Sequence, residues 1–256
     1  MDIDASEYEL SFGIDERRHN LATEKLERDI HLTNTDMNKQ ASIVRDHCRA
    51  KLSQYTLGAF DAIALPANPL ILDVGCGTGV TTLLLAEKAN ATFYAVEPDK
   101  ALLARFQEKI QEKGWEDRFK LIEGAAFDLE KLNHKFDLVL AEGLLNIIGF
   151  EKGLPLLAAQ LNENGYLIIH DELKDDLHKK KIFRDRKLDL IYEQKLDEKV
   201  WWNDYYICLE KGIEEMKLHD FMQSDLNEIR QYRKEPELFQ SVIYVLKNNM
   251  TKSIWL

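Results

Sequence analysis

A glycine-rich loop between two apolar stretches is the part of the chain whose residue types and spacing best support chemistry. The stretch LILDVGCGTGVTTLLLA covers residues 70–86, with glycines at positions 75, 77 and 79. Glycine allows a sharp turn and lets a ligand approach the backbone closely, because no Cβ stands in the way. In sheets of parallel strands, ligands bind at the carboxyl ends of the strands, beside a helix N-terminus. The pattern therefore predicts a small-ligand site at this loop.

The spacing of the glycines also bears on which ligand binds. The dinucleotide fingerprint G-x-G-x-x-G would place its third glycine at position 80, but that residue is Val80 and the third glycine is Gly79. The next apolar stretch, TFYAVE, ends in Glu97, whose carboxylate could accept hydrogen bonds from both hydroxyls of a ribose. We interpret Glu97 as a ribose ligand, and the alternative is a solvated acid at the end of a strand.

The elements that must position these residues follow from the hydrophobic pattern. From Leu70 onward, short apolar stretches alternate with amphipathic helical stretches, which is typical of parallel βαβ units buried on both faces. The stretches LDLIYEQKL and SVIYVLKN predict two further strands, with an aromatic-rich helical insertion at about 200–235 between them. We predict an α/β, Rossmann-like, doubly wound, seven-stranded sheet with the last strand antiparallel. Residues 1–65 are predicted to form an N-terminal helical lid or cap, and residues 66–256 the main domain.

Composition narrows the class of protein. The 256 residues are 45% hydrophobic and 31% charged, as in a globular protein with a substantial core. The net charge of −11 disfavours a nucleic-acid partner, since phosphates would be repelled. The acidic start MDIDASEYEL lacks the features of a signal peptide, and no apolar run approaches the roughly 20 residues of a membrane span. We expect a cytoplasmic monomer or homodimer without membrane insertion.

The order of several motifs resembles a known family. The motif VGCGTG, the acid Glu97, the loop LIEGAAFDL, the stretch FDLVLAEGLLNIIGF and the stretch LAAQLNENGYLIIHDE all lie between Leu70 and Glu172. Together they resemble the class I S-adenosylmethionine-dependent methyltransferases. Within that class the likeness is to small-molecule enzymes of the quinone-biosynthesis type and their prokaryotic relatives. The resemblance implies an enzyme that uses S-adenosyl-L-methionine to methylate a small molecule.

The resemblance also implies roles for individual residues. The loop at Gly75, Cys76 and Gly77 would hold the methionine part of the cofactor, with Asp73 anchoring the loop and the amino group. Glu97 would bind the ribose, and Glu142 or its backbone would face the methionine end. The adenine would lie between four further residues: Pro98, Ala125, Ala126 and Phe127. Many relatives have an aspartate where this chain has Ala125, so backbone groups or Asp128 would have to receive the adenine amino group.

Candidates for catalysis lie at the ends of two predicted strands. Methyl transfer needs no protein nucleophile, but a hydroxyl or amine acceptor that holds its proton needs a base. Glu142 and His170 are the candidates, with a cofactor contact and a backbone hydrogen bond as the respective alternatives. Carboxylates at Glu142, Asp171 and Glu172 could instead bind Mg²⁺, although such acids are common in metal-free relatives. We predict no metal.

The remaining distinctive residues are aromatic or sulfur-containing. Trp201, Trp202, Tyr205 and Tyr206 could cover an apolar substrate or anchor the inserted helix. The N-terminal segment, with Tyr8, Phe12 and Tyr55, could close over the cofactor or pair with a second subunit. The three cysteines, at positions 48, 76 and 208, are far apart and predict no disulfide, as expected in a reducing compartment.

Two other functions are also compatible with the sequence. One is a module that binds S-adenosylmethionine or its demethylated product without catalysis, since the reaction requires no particular catalytic side chain. The other is a nicotinamide-dependent oxidoreductase, which Val80 disfavours. Turnover with a panel of acceptors would separate the enzyme from the binding module.

Overall fold

A computed structural model describes the backbone of residues 12–249, and the side chains of residue 34 and residues 36–249. Its centre is a sheet whose strands follow the apolar stretches of the sequence. In chain order these strands are β1 (Leu70–Val74), β2 (Thr92–Glu97), β3 (Phe119–Glu123), β4 (Phe136–Glu142), β5 (Leu161–Glu172), β6 (Leu188–Leu196) and β7 (Ser241–Asn248). Across the sheet the order is β3-β2-β1-β4-β5-β7-β6.

The pairing directions confirm the predicted fold class. Strand β1 pairs in parallel with β2 on one side and β4 on the other, and β4 pairs in parallel with β5. Strand β7 lies antiparallel between β5 and β6. The strand order reverses at β1, so the carboxyl ends of β1 and β4 lie beside a crevice, which is where ligands bind in such sheets.

Nine α-helices accompany the sheet within residues 12–249. They are α1 (Phe12–Asp61), α2 (Val80–Lys88), α3 (Lys100–Lys113), α4 (Leu145–Ile148), α5 (Phe150–Ala158), α6 (Asp176–Asp185), α7 (Glu198–Trp201), α8 (Ile207–Glu215) and α9 (Gln223–Lys234). A π-helical turn at Trp202–Tyr206 joins α7 to α8, and helices α7–α9 form the predicted insertion between β6 and β7. The N-terminal segment is one helix of 50 residues rather than several. The division of the chain at residue 65 stays a prediction, as does the lid at Tyr8 and Phe12, whose side chains lie outside the described residues.

Apolar side chains are buried on both faces of the sheet and in a third cluster. Leu72, Val139 and Leu167 belong to the core on one face, and Phe93 and Ile168 to the core on the other. This two-sided burial explains why the strands read as continuous apolar stretches. The third cluster, which we call the cap cluster, packs α1 against α8 and α9 through Ala41, Val44, Tyr206, Leu209, Ile213 and Ile229.

A disulfide crosses the cap cluster. Cys48 of α1 and Cys208 of α8 are bonded, with their Cα atoms 5.6 Å apart, whereas Cys76 is free. The expectation of three unpaired cysteines was therefore wrong. The partners are 160 residues apart in sequence, and only the packing of α1 on the insertion brings them together.

Candidate functional site

The glycine loop is fastened to the end of the neighbouring strand β2. The backbone N–H groups of Gly75 and Cys76 donate to the Val96 carbonyl at 2.8 and 3.2 Å, and the N–H of Gly77 donates to Glu97 Oε2 at 3.0 Å. Gly77 has a φ of 54°, and a Cβ added there would meet no atom within 4 Å. The loop therefore leaves open space beside Gly77, as a cradle for a ligand requires.

A cavity of about 410 Å³ lies at this loop, which we call the loop cavity. Its volume is within the range of small-molecule sites, roughly 300–1,000 Å³. Five of the predicted cofactor residues line it: Asp73, Gly75, Cys76, Gly77 and Glu142. Sequence reasoning missed the lining residues of α1 and α3, which are Asn38, Ser42, Arg45, Asp46, Arg49, Ala101, Leu102 and Arg105. No motif marks them, because α1 reads only as a polar helix.

Helix α1 is bonded directly to the glycine loop and to the start of α2. The Asp46 carboxylate accepts a hydrogen bond from the Thr78 hydroxyl and lies 2.6 Å from Lys109 Nζ. Lys109 also donates to the Thr78 carbonyl at 2.9 Å. Further along α1, the hydroxyls of Ser53 and Thr81 are 2.8 Å apart. These bonds make α1 one wall of the loop cavity.

Glu142, at the end of β4, is an anchored and ionised carboxylate. It accepts hydrogen bonds from the hydroxyls of Thr56 and Thr81, the latter at 2.6 Å, and lies 3.8 Å from the Arg49 guanidinium. Burial alone would raise the pKa of Glu142, but Arg49, the His170 ring and the two hydroxyls together outweigh burial and hold the pKa below its usual value. A carboxylate of low pKa is a weak proton acceptor, so this environment suits the binding of a cation better than general-base catalysis.

Asp73, at the end of β1, is the second carboxylate of the loop cavity. Its side chain is buried and accepts a hydrogen bond from the Thr82 hydroxyl. Burial raises the pKa of Asp73 to about 7, although the bond from Thr82 acts in the opposite direction. Asp73 therefore changes charge close to neutral pH, and a cationic ligand group beside it would favour the ionised form.

The structure does not gather the predicted ribose and adenine residues at the loop cavity as it gathers the residues predicted for the methionine end. Glu97 is buried, and its carboxylate accepts from the N–H groups of Gly77 and Asp99 at 3.0 and 3.1 Å. Two bonds leave acceptor capacity on a carboxylate, which has about four lone-pair sites. The adenine group of residues does not line the loop cavity: Pro98 and Phe127 are exposed, and Ala126 packs in the core beside Ala125. Asp128 is bonded to Lys131 and to the Ala125 N–H. The contacts of the predicted adenine residues and of Glu97 with a cofactor stay a prediction.

A second cavity, of about 770 Å³, lies between the ends of β4 and β5 and the insertion. We call it the insertion cavity. Gly143, Asn146 and His170 line its sheet side, and Trp201 and Tyr206 line the side of the insertion. Arg49 lines both cavities, so the loop cavity and the insertion cavity adjoin at this residue.

His170 lies in a hydrogen-bonded row inside the insertion cavity. The Trp201 indole N–H donates to Ser241 Oγ at 2.9 Å, and Ser241 Oγ lies 3.0 Å from His170 Nε2. The direction of the bond between Ser241 and His170 depends on which ring nitrogen carries the proton, since a hydroxyl can donate one bond and accept two. Burial lowers the pKa of His170 to about 4, so the ring is uncharged at neutral pH and a weak proton acceptor.

The aromatic group of the insertion divides between the two cavities. Trp201 and Tyr206 line the insertion cavity, whereas Tyr205 lines the loop cavity. Trp202 lines neither and stacks on Tyr232 in the cap cluster, with ring centroids 5.3 Å apart. The group therefore combines the two alternatives that the sequence left open, covering a cavity and anchoring the insertion.

The part of the chain that the structure describes offers neither a metal-binding cluster nor a membrane span. No group of three or more His, Cys, Asp or Glu side chains there is placed to hold a metal ion. Of the carboxylates considered for Mg²⁺, Glu142 is held by threonines and Asp171 pairs with Lys179 at 2.6 Å. No described helix is long and apolar enough to cross a membrane.

Comparison with known sequences places the glycine loop in a described family. Residues 71–165 match the model of a methyltransferase domain. A tRNA1(Val) (adenine(37)-N6)-methyltransferase of Haemophilus influenzae is 35% identical over 121 residues, which cover 45% of this chain and 50% of that enzyme. The chain therefore spans at most about half the length of this curated relative.

Comparison with solved structures shows the same fold. A S-adenosylmethionine-dependent methyltransferase from Geobacter sulfurreducens, in complex with S-adenosylhomocysteine, aligns with a TM-score of 0.58 at 17% identity, over 76% of this chain and 89% of that one. The cyclase SpnF aligns with a TM-score of 0.67 at 14% identity, over 78% and 81%. The domain match and the shared fold confirm the predicted resemblance to methyltransferases of this fold, whereas the quinone-biosynthesis type stays a prediction.

Proposed function

We propose that this chain, in which residues 71–165 match a methyltransferase domain, is a class I S-adenosylmethionine-dependent methyltransferase that transfers the methyl group of that cofactor to a small-molecule acceptor. The observation that carries the proposal is the adjoining pair of cavities. One cavity lies at the glycine loop and the other between the strand ends and the insertion, and both include Arg49. A transferase needs two such sites in contact, because the group passes directly from one ligand to the other.

The charges of the loop cavity fit the amino-acid end of the cofactor. That end carries an ammonium and a carboxylate. Glu142 and Asp73 supply negative charge for the ammonium, and Arg49, which is a half-buried guanidinium, supplies a partner for the carboxylate. Glu97 at the end of β2 keeps acceptor capacity for ribose hydroxyls. When bound, the cofactor supplies an electrophilic methyl group on a sulfonium.

The protein's own contribution is alignment and the exclusion of water. The bond that Asp46 accepts from Thr78 and the bond between Ser53 and Thr81 hold α1 against the glycine loop and the start of α2, so that the helix forms a wall of the loop cavity. Fixing two reactants in line contributes a large share of the rate of a displacement, and a covered site keeps competing water out. Neither Glu142 nor His170 is a strong proton acceptor at neutral pH, so we propose positioning roles for both. A proton on the acceptor would then leave to solvent.

A small acceptor is favoured over a nucleic acid by the charge of the chain. The net charge is −11, and three exposed carboxylates line the insertion cavity: Glu172, Glu228 and Glu237. A phosphate backbone would be repelled from such an opening. The relatives that act on tRNA are the reason to test RNA directly. We expect no retardation of bulk tRNA at micromolar protein and low salt, and retardation would overturn the small-molecule assignment.

The decisive experiment is calorimetric titration of the full chain with S-adenosylmethionine, S-adenosylhomocysteine and NAD⁺. We expect micromolar binding of the first two ligands and none of NAD⁺. Formation of S-adenosylhomocysteine in the presence of an acceptor panel would then establish transfer. Binding of NAD⁺ alone would refute the proposal and favour the oxidoreductase.

A second candidate function is a cofactor-binding protein that does not transfer the methyl group. The observation that favours it is the fold shared with SpnF, a [4+2]-cyclase, because a protein of this fold can therefore serve a reaction other than methyl transfer. Such a protein would bind both S-adenosyl compounds but yield no methylated product with any acceptor.

The location of the protein is also open to test. The sequence predicted the cytoplasm, but structural disulfides such as Cys48–Cys208 are rare in a reducing cytosol.

A further inference from the structure

The insertion cavity carries a surplus of negative charge that no described residue neutralises. Two of its charged groups are already paired, since Arg49 lies 3.8 Å from Glu142 and Asp171 lies 2.6 Å from Lys179. The other charged residues of the lining are Lys174 and the carboxylates of Glu172, Glu228 and Glu237. None of these four forms an ion pair with a described residue, so three negative charges face one positive charge.

A buried polar atom inside the same cavity also lacks a partner. Asp171 is only 4% exposed and lines the cavity, and its Oδ2 is paired with Lys179 at 2.6 Å. Its Oδ1 is buried and accepts no hydrogen bond from any residue that the structure describes. A buried carboxylate oxygen is costly to leave without a donor. A donor group of a ligand, such as an ammonium, would meet that need.

The walls between these polar groups are aromatic. Trp201 and Tyr206 lie on one side, and Phe239, which packs edge-on against Tyr206 at 5.8 Å between centroids, completes the lining. Aromatic rings bind apolar groups and also attract cations through their faces. The cavity thus combines an apolar wall, a negative rim and one polar group at its floor.

We propose that the insertion cavity binds a small organic amine in its ammonium form, with an apolar or aromatic body, as the methyl acceptor. This inference rests on the proposed function. The ammonium group lies against the rim formed by Glu172, Glu228 and Glu237, and the body lies against Trp201 and Phe239. Methylation then balances with the release of one proton. The amine loses a proton to water, its lone pair forms the new N–C bond, and the C–S bond breaks with its electron pair retained by sulfur.

The test is a binding comparison that does not depend on turnover. The full chain is first titrated with S-adenosylhomocysteine and then, saturated with it, with three probes of similar shape: 2-phenylethylamine, 2-phenylethanol and 3-phenylpropanoate. We expect the ammonium probe to bind at least about tenfold more tightly than the carboxylate probe. We also expect added salt to weaken the binding of the ammonium probe and to leave the binding of the alcohol unchanged, because screening acts on the charged contact.

Matched variants assign the preference to the rim. Each of Glu172→Gln, Glu228→Gln and Glu237→Gln should weaken ammonium binding about two- to fivefold, the effect of one exposed ion pair, and the triple variant at least about tenfold. Glu163→Gln is the control, because Glu163 is an exposed carboxylate outside both cavities. Unchanged affinity for S-adenosylhomocysteine shows that each variant is folded.

The outcomes separate the two proposals. If S-adenosylhomocysteine does not bind, the proposed function fails. If S-adenosylhomocysteine binds but the amine does not bind, binds no better than the carboxylate, or keeps its affinity in the triple variant, the amine assignment is overturned and the methyltransferase proposal stands.

Discussion

Breaking the Cys48–Cys208 disulfide should lower the stability of the folded chain. The bond closes a loop across 160 residues of sequence, so it removes many conformations from the unfolded state. For a loop of this length the chain-entropy model gives about 5 kcal/mol at 25 °C, and losses measured for native disulfides are about 2–5 kcal/mol. Whole domains are stable by only about 5–15 kcal/mol. Reduction should therefore cost a substantial part of the total.

The measurement is thermal unfolding with and without a dithiol reductant. For a chain of this size, each kcal/mol corresponds to a shift of about 2–4 °C in the midpoint, so we expect a decrease of about 4–20 °C on reduction. Reduction of the wild-type chain avoids placing a new polar side chain in the cap cluster, where Cys48 is buried. Thiol titration of the unfolded protein should give one reactive group before reduction and three after it.

The controls distinguish the disulfide from other effects of the reductant. A variant with both Cys48→Ser and Cys208→Ser should unfold at the same temperature with and without reductant, whereas Cys76→Ser should respond as the wild type does. An unchanged midpoint in fully reduced wild-type protein would refute the reasoning. It would mean that packing between α1 and the insertion alone maintains the folded state.

Three further predictions concern the loop cavity. Gly77→Ala and Gly114→Ala both place a Cβ at a left-handed residue with open space around it, so each should lower the stability by about 1–2 kcal/mol. Only the Gly77 variant should lose affinity for S-adenosylhomocysteine in calorimetry. Equal affinity in the two variants would remove the glycine loop from the site. Glu97→Ala should weaken the binding of S-adenosylhomocysteine by about 1.5–3 kcal/mol, whereas Glu123→Ala, at the paired position of β3, should leave it unchanged. A matching loss in both variants would count against a ribose contact. Because the pKa of Asp73 is raised to about 7, cofactor affinity should rise between pH 6 and 8 as the carboxylate ionises. The folded chain also holds this proton at pH values where the unfolded chain has released it. The contribution of Asp73 to stability should therefore fall as pH rises from about 4 to 7. Both pH effects should be absent in Asp73→Asn, and a wild-type chain with flat profiles would contradict the assignment.

Much of the loop cavity could be predicted from the sequence because its residues are neighbours in the chain. Asp73, Gly75, Cys76 and Gly77 lie on one strand–loop–helix unit, so local geometry alone brings them together. Glu142 was within reach as well, because the carboxyl ends of parallel strands meet at one edge of a sheet. The adenine residues depended on the resemblance alone, and the structure does not place them along the cavity.

The residues that only the tertiary structure revealed belong to α1 and the insertion. Arg49 and Asp46 lie on a polar helix whose sequence carries no motif, and their roles depend on where that helix packs. The same packing assigned Tyr205 to the loop cavity and Trp201 to the insertion cavity, although the two are four residues apart.

The sequence by itself determined the strand–helix alternation, the glycine loop and the charge of the chain, since these depend on neighbouring residues and on composition. The tertiary structure decided which helix covers the loop, that Cys48 bonds to Cys208 and which carboxylates share a cavity. Those outcomes depend on contacts between segments as much as 160–180 residues apart, such as the disulfide and the bond from Arg45 to Asp225. Local propensity does not encode such contacts, because they form only when separate apolar faces pack against each other.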